Sequence, residues 1–125
     1  MTLSRAFLLT ALLYALVGMA LGIHMGIAHD FAAAPVHAHV NLVGWVTLAL
    51  YGLIHRAYPA MATSRLAWIQ FGLAEVGAIV FPIGIAISIF HEKPLVAILG
   101  SLAVILALAL FLVMAFTKLR DDVRG

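Results

Sequence analysis

The stretch PVHAHVNLVGWVTLALYG, residues 35–52, decides how the rest of the chain is organised. It begins with two histidines, His37 and His39, and continues as an almost wholly apolar run. Ionisable side chains are costly inside a membrane-length apolar segment, and those that occur there are usually functional. The stretch therefore predicts a membrane-crossing helix that carries a functional site near its first residues.

The whole chain has the composition of a membrane protein. Of its 125 residues, 66% are hydrophobic and 10% are charged, and the mean hydropathy is +1.18. A helix needs about 20 apolar residues to cross the hydrocarbon core of a bilayer. Four segments reach that length, at residues 6–28, 36–58, 66–90 and 95–117. The sequence predicts a single domain over residues 1–125, an all-α integral membrane four-helix bundle whose first helix is retained rather than cleaved.

The basic residues predict an orientation for this bundle. One end carries six of the seven Lys and Arg residues: Arg5, Arg56, Arg65, Lys118, Arg120 and Arg124. Lys93 alone belongs to the other end. Positive residues favour the cytoplasmic side, so we expect an N-in/C-in protein of the cell inner membrane. Their position at helix ends also accounts for the pI of about 9.4 without a nucleic-acid partner.

Three glycines give the first helix a face of small residues. Gly18, Gly22 and Gly26 recur at intervals of four and therefore lie on nearly one side. Such a face lets another helix approach closely in a bilayer. A second interpretation is that it leaves room for a flat cofactor. His24 lies about 200° from Gly22 around the helix and is expected to point away from this face.

The histidines concentrate at the outer end of the predicted bundle. Five of the six belong there: His24, His29, His37, His39 and His91. His37 and His39 point about 200° apart on a helix, so we expect them to serve two sites on opposite faces. His24 has a similar depth to His39, and the two are expected to face each other across a helix pair. The other outer histidines, His29 and His91, are secondary ligand candidates near the surface.

The chain has no cysteine, which excludes disulfides, iron–sulfur clusters and thiolate metal sites. The spacing of two histidines at i and i+4, typical of zinc sites on one helix, is absent as well. Neutral imidazole suits haem iron, whose axial ligands commonly come from different helices of a bundle. The spacing and depth of the histidines are therefore compatible with a haem site and with another kind of metal site.

Two further ionisable residues need an explanation. Glu75 lies inside the third apolar segment, where an isolated carboxylate is protonated or paired. It is either a neutral acid bonded to Gln70, Thr47 or a backbone carbonyl, or a step on a proton path. His55 lies beside Arg56 at a helix end, and it is expected at the surface.

The segment HAHVNLVGWVTLALYGLIHRAYP, residues 37–59, resembles helices of subunit I in the haem-copper oxidase superfamily. The His-x-His pair, followed by an apolar helix with Gly44, looks like the tenth helix of that family. This likeness implies that His37 binds a high-spin haem and His39 a low-spin haem. The run from His39 to Pro59 is also similar to the second helix of the nitric oxide reductase branch, which implies that His39 is an axial ligand of the low-spin haem.

The double resemblance implies an architecture. The family's subunit has twelve helices in three arcs of four, and this chain resembles one arc. A homotrimer with haem between neighbouring protomers is the implied assembly, with His39 of one copy facing His37 or His39 of another. The family's paired copper-binding histidines and its His-x-x-x-Tyr motif have no counterpart here, so the resemblance leaves oxidoreductase activity open.

The sequence thus favours a small b-type haem protein of the membrane, with His39, His37 and His24 as ligands in that order of preference. Its role is then electron transfer or the chemistry of a small gas such as O2 or NO. One alternative is a copper or zinc binding or transport protein that uses the outer histidines with Met25 and Asp30, since Met and His suit copper. The other is an assembly subunit without a cofactor.

Overall fold

The computed structural model describes residues 1–122, with side chains through Leu119, and it is helical almost throughout. Arg124, one of the six basic residues that predict the orientation, lies outside the described residues. The elements in chain order are α1 (Leu3–Ala28), α2 (Ala34–His39), a π-helical segment (Val40–Thr47), α3 (Leu48–Ala57), α4 (Pro59–Ala62), α5 (Arg65–His91) and α6 (Leu95–Asp122).

Four membrane-length spans result from these elements, as the sequence predicts. The spans are Leu3–Ala28, Ala34–Ala57, Arg65–His91 and Leu95–Leu119, and each is long and apolar enough to cross a membrane. The second span joins α2, the π-helical segment and α3 without a break. Most large apolar side chains on the outward faces are exposed, as expected where the surrounding solvent is lipid. The fold is an all-α, multi-pass membrane bundle.

The π-helical segment is a departure from the uniform helix that the sequence predicts. It spans eight residues, Val40–Thr47, and Thr47 Oγ1 donates a hydrogen bond to the Leu42 carbonyl at 2.7 Å. Gly44 faces the ring of Tyr14 on α1, and a Cβ there would lie 2.6 Å from Tyr14 Cγ. π turns are rare and frequently occur at functional sites. This one begins immediately after His39.

The bundle has two ends with different packing. The end that carries Thr2, residues 58–64 and Lys118 is called the terminal end, and the end with the turns at residues 29–33 and 92–94 the loop end. The buried core lies mainly toward the terminal end, where Phe7 and Tyr51 have ring centroids 5.6 Å apart. The loop end is more open. It contains the short turn between α5 and α6, which pack against each other as an antiparallel hairpin.

Candidate functional site at the start of the second span

His37 and His39 lie at the end of α2, with Pro35 in the first turn of that helix. Both side chains are partly buried. They contact different helices, because His37 reaches α1 and His39 packs against α5. The two side chains therefore point toward different neighbouring helices, as the geometry of the helix predicts.

The His37 ring is held against the glycine face of α1. Its Nδ1 donates a hydrogen bond to the Gly18 carbonyl at 2.8 Å. A Cβ on Gly22 would lie 2.8 Å from His37 Cε1, and one on Gly18 would lie 2.5 Å from Asn41 Nδ2. Asn41 also donates to the His37 carbonyl at 2.8 Å. The side chains of the second span therefore occupy the space beside these two glycines.

The contacts of His37 and Asn41 with α1 distinguish the two interpretations of the glycine face, helix packing and room for a flat cofactor. The space beside Gly18 and Gly22 is taken by protein side chains rather than left free for a flat cofactor, so helix packing is the correct interpretation there. Gly26 differs, because nothing lies within 4 Å of a Cβ placed on it.

The difference between the glycines gives a prediction about stability. Gly22→Leu forces its side chain into the His37 ring, and overpacking of this kind costs about 1–3 kcal/mol. Gly26→Leu is the matched control, since it adds the same side chain to open space. We expect a lower free energy of unfolding in sodium dodecyl sulfate for Gly22→Leu alone. Equal stabilities for the two variants would contradict the packing of His37 on Gly22.

His39 is oriented by its own helix. Its Nδ1 donates a hydrogen bond to the Pro35 carbonyl at 2.7 Å, one turn earlier in the chain. The ring also packs edge-on against Phe81 of α5, with centroids 4.8 Å apart. These two contacts fix both the position and the rotation of the imidazole.

The same hydrogen bonds fix the tautomer of both rings. A carbonyl oxygen can only accept a hydrogen bond, so Nδ1 carries a hydrogen in His37 and in His39, and in the neutral imidazole the lone pair is then on Nε2. Neither Nε2 has a hydrogen-bond partner among the described residues. Histidines that bind metals commonly donate their other ring N–H to a carbonyl in this way, which raises the basicity of the ligating nitrogen.

The other three histidines of the loop end are not brought into this site. His24, His29 and His91 are exposed. The His39 ring, which the sequence places at the depth of His24, packs on Phe81 of α5 instead. Within the part of the chain that the structure describes, no three His, Asp or Glu side chains come together as a metal site. His37 and His39 are therefore two separate imidazoles rather than parts of a cluster.

Glu75 lies between α1 and α5, and its partners differ from those expected. Thr10 Oγ1 donates to its carboxyl group at 2.6 Å, and the Tyr14 hydroxyl donates to the other oxygen at 3.4 Å. Gln70 and Thr47 are not its partners. A groove of about 170 Å³, also lined by Leu13 and Val17, gives access to the carboxyl group from the face of the bundle. The carboxyl group is therefore hydrogen-bonded yet reachable.

His55 is buried, so the expectation of a surface position is wrong. Its side chain is 1% exposed, stacked on Phe7 at a centroid distance of 5.7 Å and edge-on to Phe111 at 5.5 Å. Phe7 of α1 and Phe111 of α6 cover the ring. The position of His55 beside Arg56 does not by itself indicate this burial, because the covering residues are distant along the chain.

Comparison with protein-family models gives no match, and comparisons with curated proteins and with solved structures give none either. The class of protein that the fold defines is a multi-pass helical membrane protein with four spans.

Proposed function

We propose that this chain is a small b-type cytochrome of the membrane, related to subunit I of the haem-copper oxidases, with His39 as its first haem ligand and His37 as its second. The proposal rests on the hydrogen bond from the Nδ1 of each ring to a backbone carbonyl, at 2.8 Å or less. Nε2 is thereby directed away from the backbone with its lone pair available, the arrangement that an axial haem ligand requires.

The residues around His39 fit a bound haem. The Pro35 carbonyl prevents the imidazole from rotating, and the Phe81 ring supplies an apolar aromatic surface beside it. Haem, when bound, supplies one-electron transfer or the binding of a small gas. The chain's own residues orient the His39 imidazole and place the apolar Phe81 ring beside it.

The opposite directions of His37 and His39 favour an oligomer. A single copy brings no second histidine to the Nε2 of His39, so a six-coordinate haem needs a ligand from another copy. The resemblance to one arc of a three-arc subunit favours a homotrimer. An axial position left without a histidine would instead accept a small gas such as O2 or NO.

The proposed orientation is N-in/C-in in the cell inner membrane. The terminal end carries Arg5, Arg56, Arg65 and Lys118, whereas Lys93 is the basic residue of the loop end. Excess positive charge favours the cytoplasmic side. His37 and His39 then lie near the outer face.

Absorption spectroscopy of the purified protein tests the proposed function. We expect a Soret band and, after reduction with dithionite, sharp α and β bands typical of low-spin haem. A shift on addition of carbon monoxide would identify an open axial position. Protein that stays colourless after expression with ample haem contradicts the proposal, and elemental analysis of the same sample then distinguishes copper or zinc from no cofactor.

The mass of the purified complex, corrected for bound detergent, tests the proposed assembly separately. A monomer or dimer contradicts the homotrimer.

Glu75 gives a prediction about proton supply. Glu75→Gln keeps an oxygen to accept from Thr10, so the fold and the haem content are expected to remain. The amide carries no exchangeable acid proton, and loss of a proton-transferring group typically costs about 10²-fold or more in rate. We expect slower oxidation of the reduced protein in steps coupled to proton uptake. Glu92→Gln, at the exposed turn after α5, is the matched control, and equal rates would remove Glu75 from any proton path.

A further inference from the structure

A groove of about 170 Å³ opens on the side of the bundle, between α1 and α5. Its lining consists of Thr10, Leu13, Tyr14, Val17 and Glu75. The α1 residues among them follow one another at the intervals of three and four that place side chains on one face of a helix. The groove therefore runs along one face of α1, and Glu75 is the side chain that α5 contributes to it.

The groove lies at a depth where the surrounding solvent is lipid. Glu75 follows Arg65, the first residue of α5, by ten residues, which corresponds to about 15 Å along a helix. This distance is about half the thickness of the hydrocarbon core of a bilayer. Two of the lining side chains, Leu13 and Val17, are 62% and 57% exposed. A molecule that enters the groove therefore comes from the hydrocarbon of the bilayer.

The volume of the groove corresponds to one aromatic ring. A cavity of about 150 Å³ that is lined by apolar side chains binds benzene, and this groove is slightly larger. Leu13 and Val17 supply aliphatic surface, and Tyr14 supplies an aromatic ring. Because the groove is open toward the lipid, a chain attached to a bound ring can extend into the bilayer.

The carboxyl group of Glu75 is paired with hydroxyl groups rather than with a charge. Thr10 Oγ1 donates to Oε1 at 2.6 Å, and the Tyr14 hydroxyl donates to Oε2 at 3.4 Å. The second bond is longer than the range of about 2.5–3.0 Å that is usual between two oxygens. The Oε2 atom can therefore accept from a closer donor.

The polar chemistry of the groove suits a neutral donor. In the part of the chain that the structure describes, no Lys, Arg or His side chain lines the groove. A cationic ligand would have to leave water for the hydrocarbon, which is costly for a charge. A hydroxyl group enters the lipid more easily and supplies the hydrogen that Glu75 Oε2 accepts.

We propose that this groove binds a lipid-soluble phenol. The ring lies against Leu13, Tyr14 and Val17, the phenol hydroxyl donates a hydrogen bond to Glu75 Oε2, and an alkyl substituent extends into the lipid. This site does not rest on the proposed haem function, because no histidine takes part in it and its test needs no cofactor.

Protection of Glu75 from a hydrophobic carbodiimide tests the site in the purified full-length protein in a neutral detergent. Dicyclohexylcarbodiimide adds to a carboxylic acid across one C=N bond: a carboxyl oxygen bonds to the central carbon, the acid proton moves to nitrogen, and no group leaves. Mass spectrometry of the peptide that contains Glu75 measures the rate of this labelling. We expect Glu75 to be labelled, and absence of labelling overturns the proposal because the groove then gives no access to the carboxyl group.

Two competitors separate a hydrogen-bonded phenol from a merely apolar occupant. They are para-butylphenol and para-butylanisole, in which a methyl group replaces the hydroxyl hydrogen. We expect the phenol to protect Glu75 at an about tenfold lower concentration than the anisole, because a hydrogen bond to a carboxyl group contributes an affinity of that order. Equal protection by both competitors overturns the proposal, as does the absence of protection by the phenol.

Three variants locate the reaction and the binding. Glu75→Gln is expected to abolish labelling of this peptide, and labelling that persists would overturn the assignment. Val17→Phe fills the groove with a larger side chain and is expected to slow the labelling of Glu75 several-fold. Val113→Phe is the matched control, since Val113 is 51% exposed on α6 and lies outside the groove lining. Equal labelling rates in the two Phe variants overturn the proposal, and circular dichroism checks that both remain helical.

Discussion

His39→Ala is expected to abolish haem binding. The Nε2 of His39 is the proposed axial ligand, and its loss leaves the iron without its protein bond on that side. The fold should persist, because the ring is only partly buried and its hydrogen bond to the Pro35 carbonyl is replaced by a solvent contact. The measurement is the ratio of Soret to protein absorbance, with circular dichroism as the check that the helices remain.

Two controls make the His39 result specific. His24→Ala and His91→Ala remove exposed histidines from the same end of the bundle and should retain the wild-type absorbance ratio. Imidazole added to His39→Ala should restore part of the haem absorbance, since it supplies the missing nitrogen without restoring the side chain. Full haem content in His39→Ala would refute the ligand assignment. An equal loss of haem absorbance in all three variants would mean that removing any histidine of this end lowers the haem content, and that His39 has no special role.

The spans could be predicted because their cause is local. Each depends on about 20 consecutive apolar residues, a property of composition that needs no tertiary contact. The opposite directions of His37 and His39 follow from helix geometry alone, and the structure confirms them. The hydrogen bond of the His39 ring is also determined locally, because its acceptor, the Pro35 carbonyl, lies one helical turn earlier in the chain.

The burial of His55 could not be predicted in the same way, because its causes are non-local. Phe7 and Phe111, which enclose its ring, are separated from it by more than a full span in each direction. The position beside Arg56 at a helix end suggested exposure, and only the Arg56 side chain follows that expectation. A signal was nevertheless present: Phe7, Gln70 and Phe111 lie at comparable depths from the terminal end, so an aromatic layer around a histidine was foreseeable from counting.

The hydrogen-bond partners of Glu75 and the π-helical segment could not be predicted from the sequence either, because both involve contacts between spans that are distant along the chain. Thr10 and Tyr14 bind the carboxyl group from α1, whereas the expected partner Gln70 lies on Glu75's own helix and Thr47 on the second span. Which helices neighbour each other in a bundle is decided by close packing, not by hydropathy. The π turns likewise depend on how Gly44 accommodates the Tyr14 ring, a contact between two spans.

Phe7→Ala is expected to cause the largest loss of stability in the chain. Phe7 is fully buried, and its ring contacts Phe71 edge-on at 4.8 Å as well as Tyr51 and His55. Truncating a buried Phe to Ala costs about 3–5 kcal/mol, from lost contacts and the cavity that remains. The stacked face of the His55 ring would lose its cover at the same time.

The matched control for this prediction is Phe116→Ala. Phe116 lies on α6 toward the same end of the bundle but is 68% exposed, so its truncation removes mainly contact with lipid. Unfolding in sodium dodecyl sulfate, followed by circular dichroism, should show a large decrease for Phe7→Ala and little change for Phe116→Ala. Similar decreases for both would mean that apolar surface area alone determines stability. A selective loss at Phe7 would place the main stabilising contacts at the terminal end and leave the more open loop end available for the proposed haem.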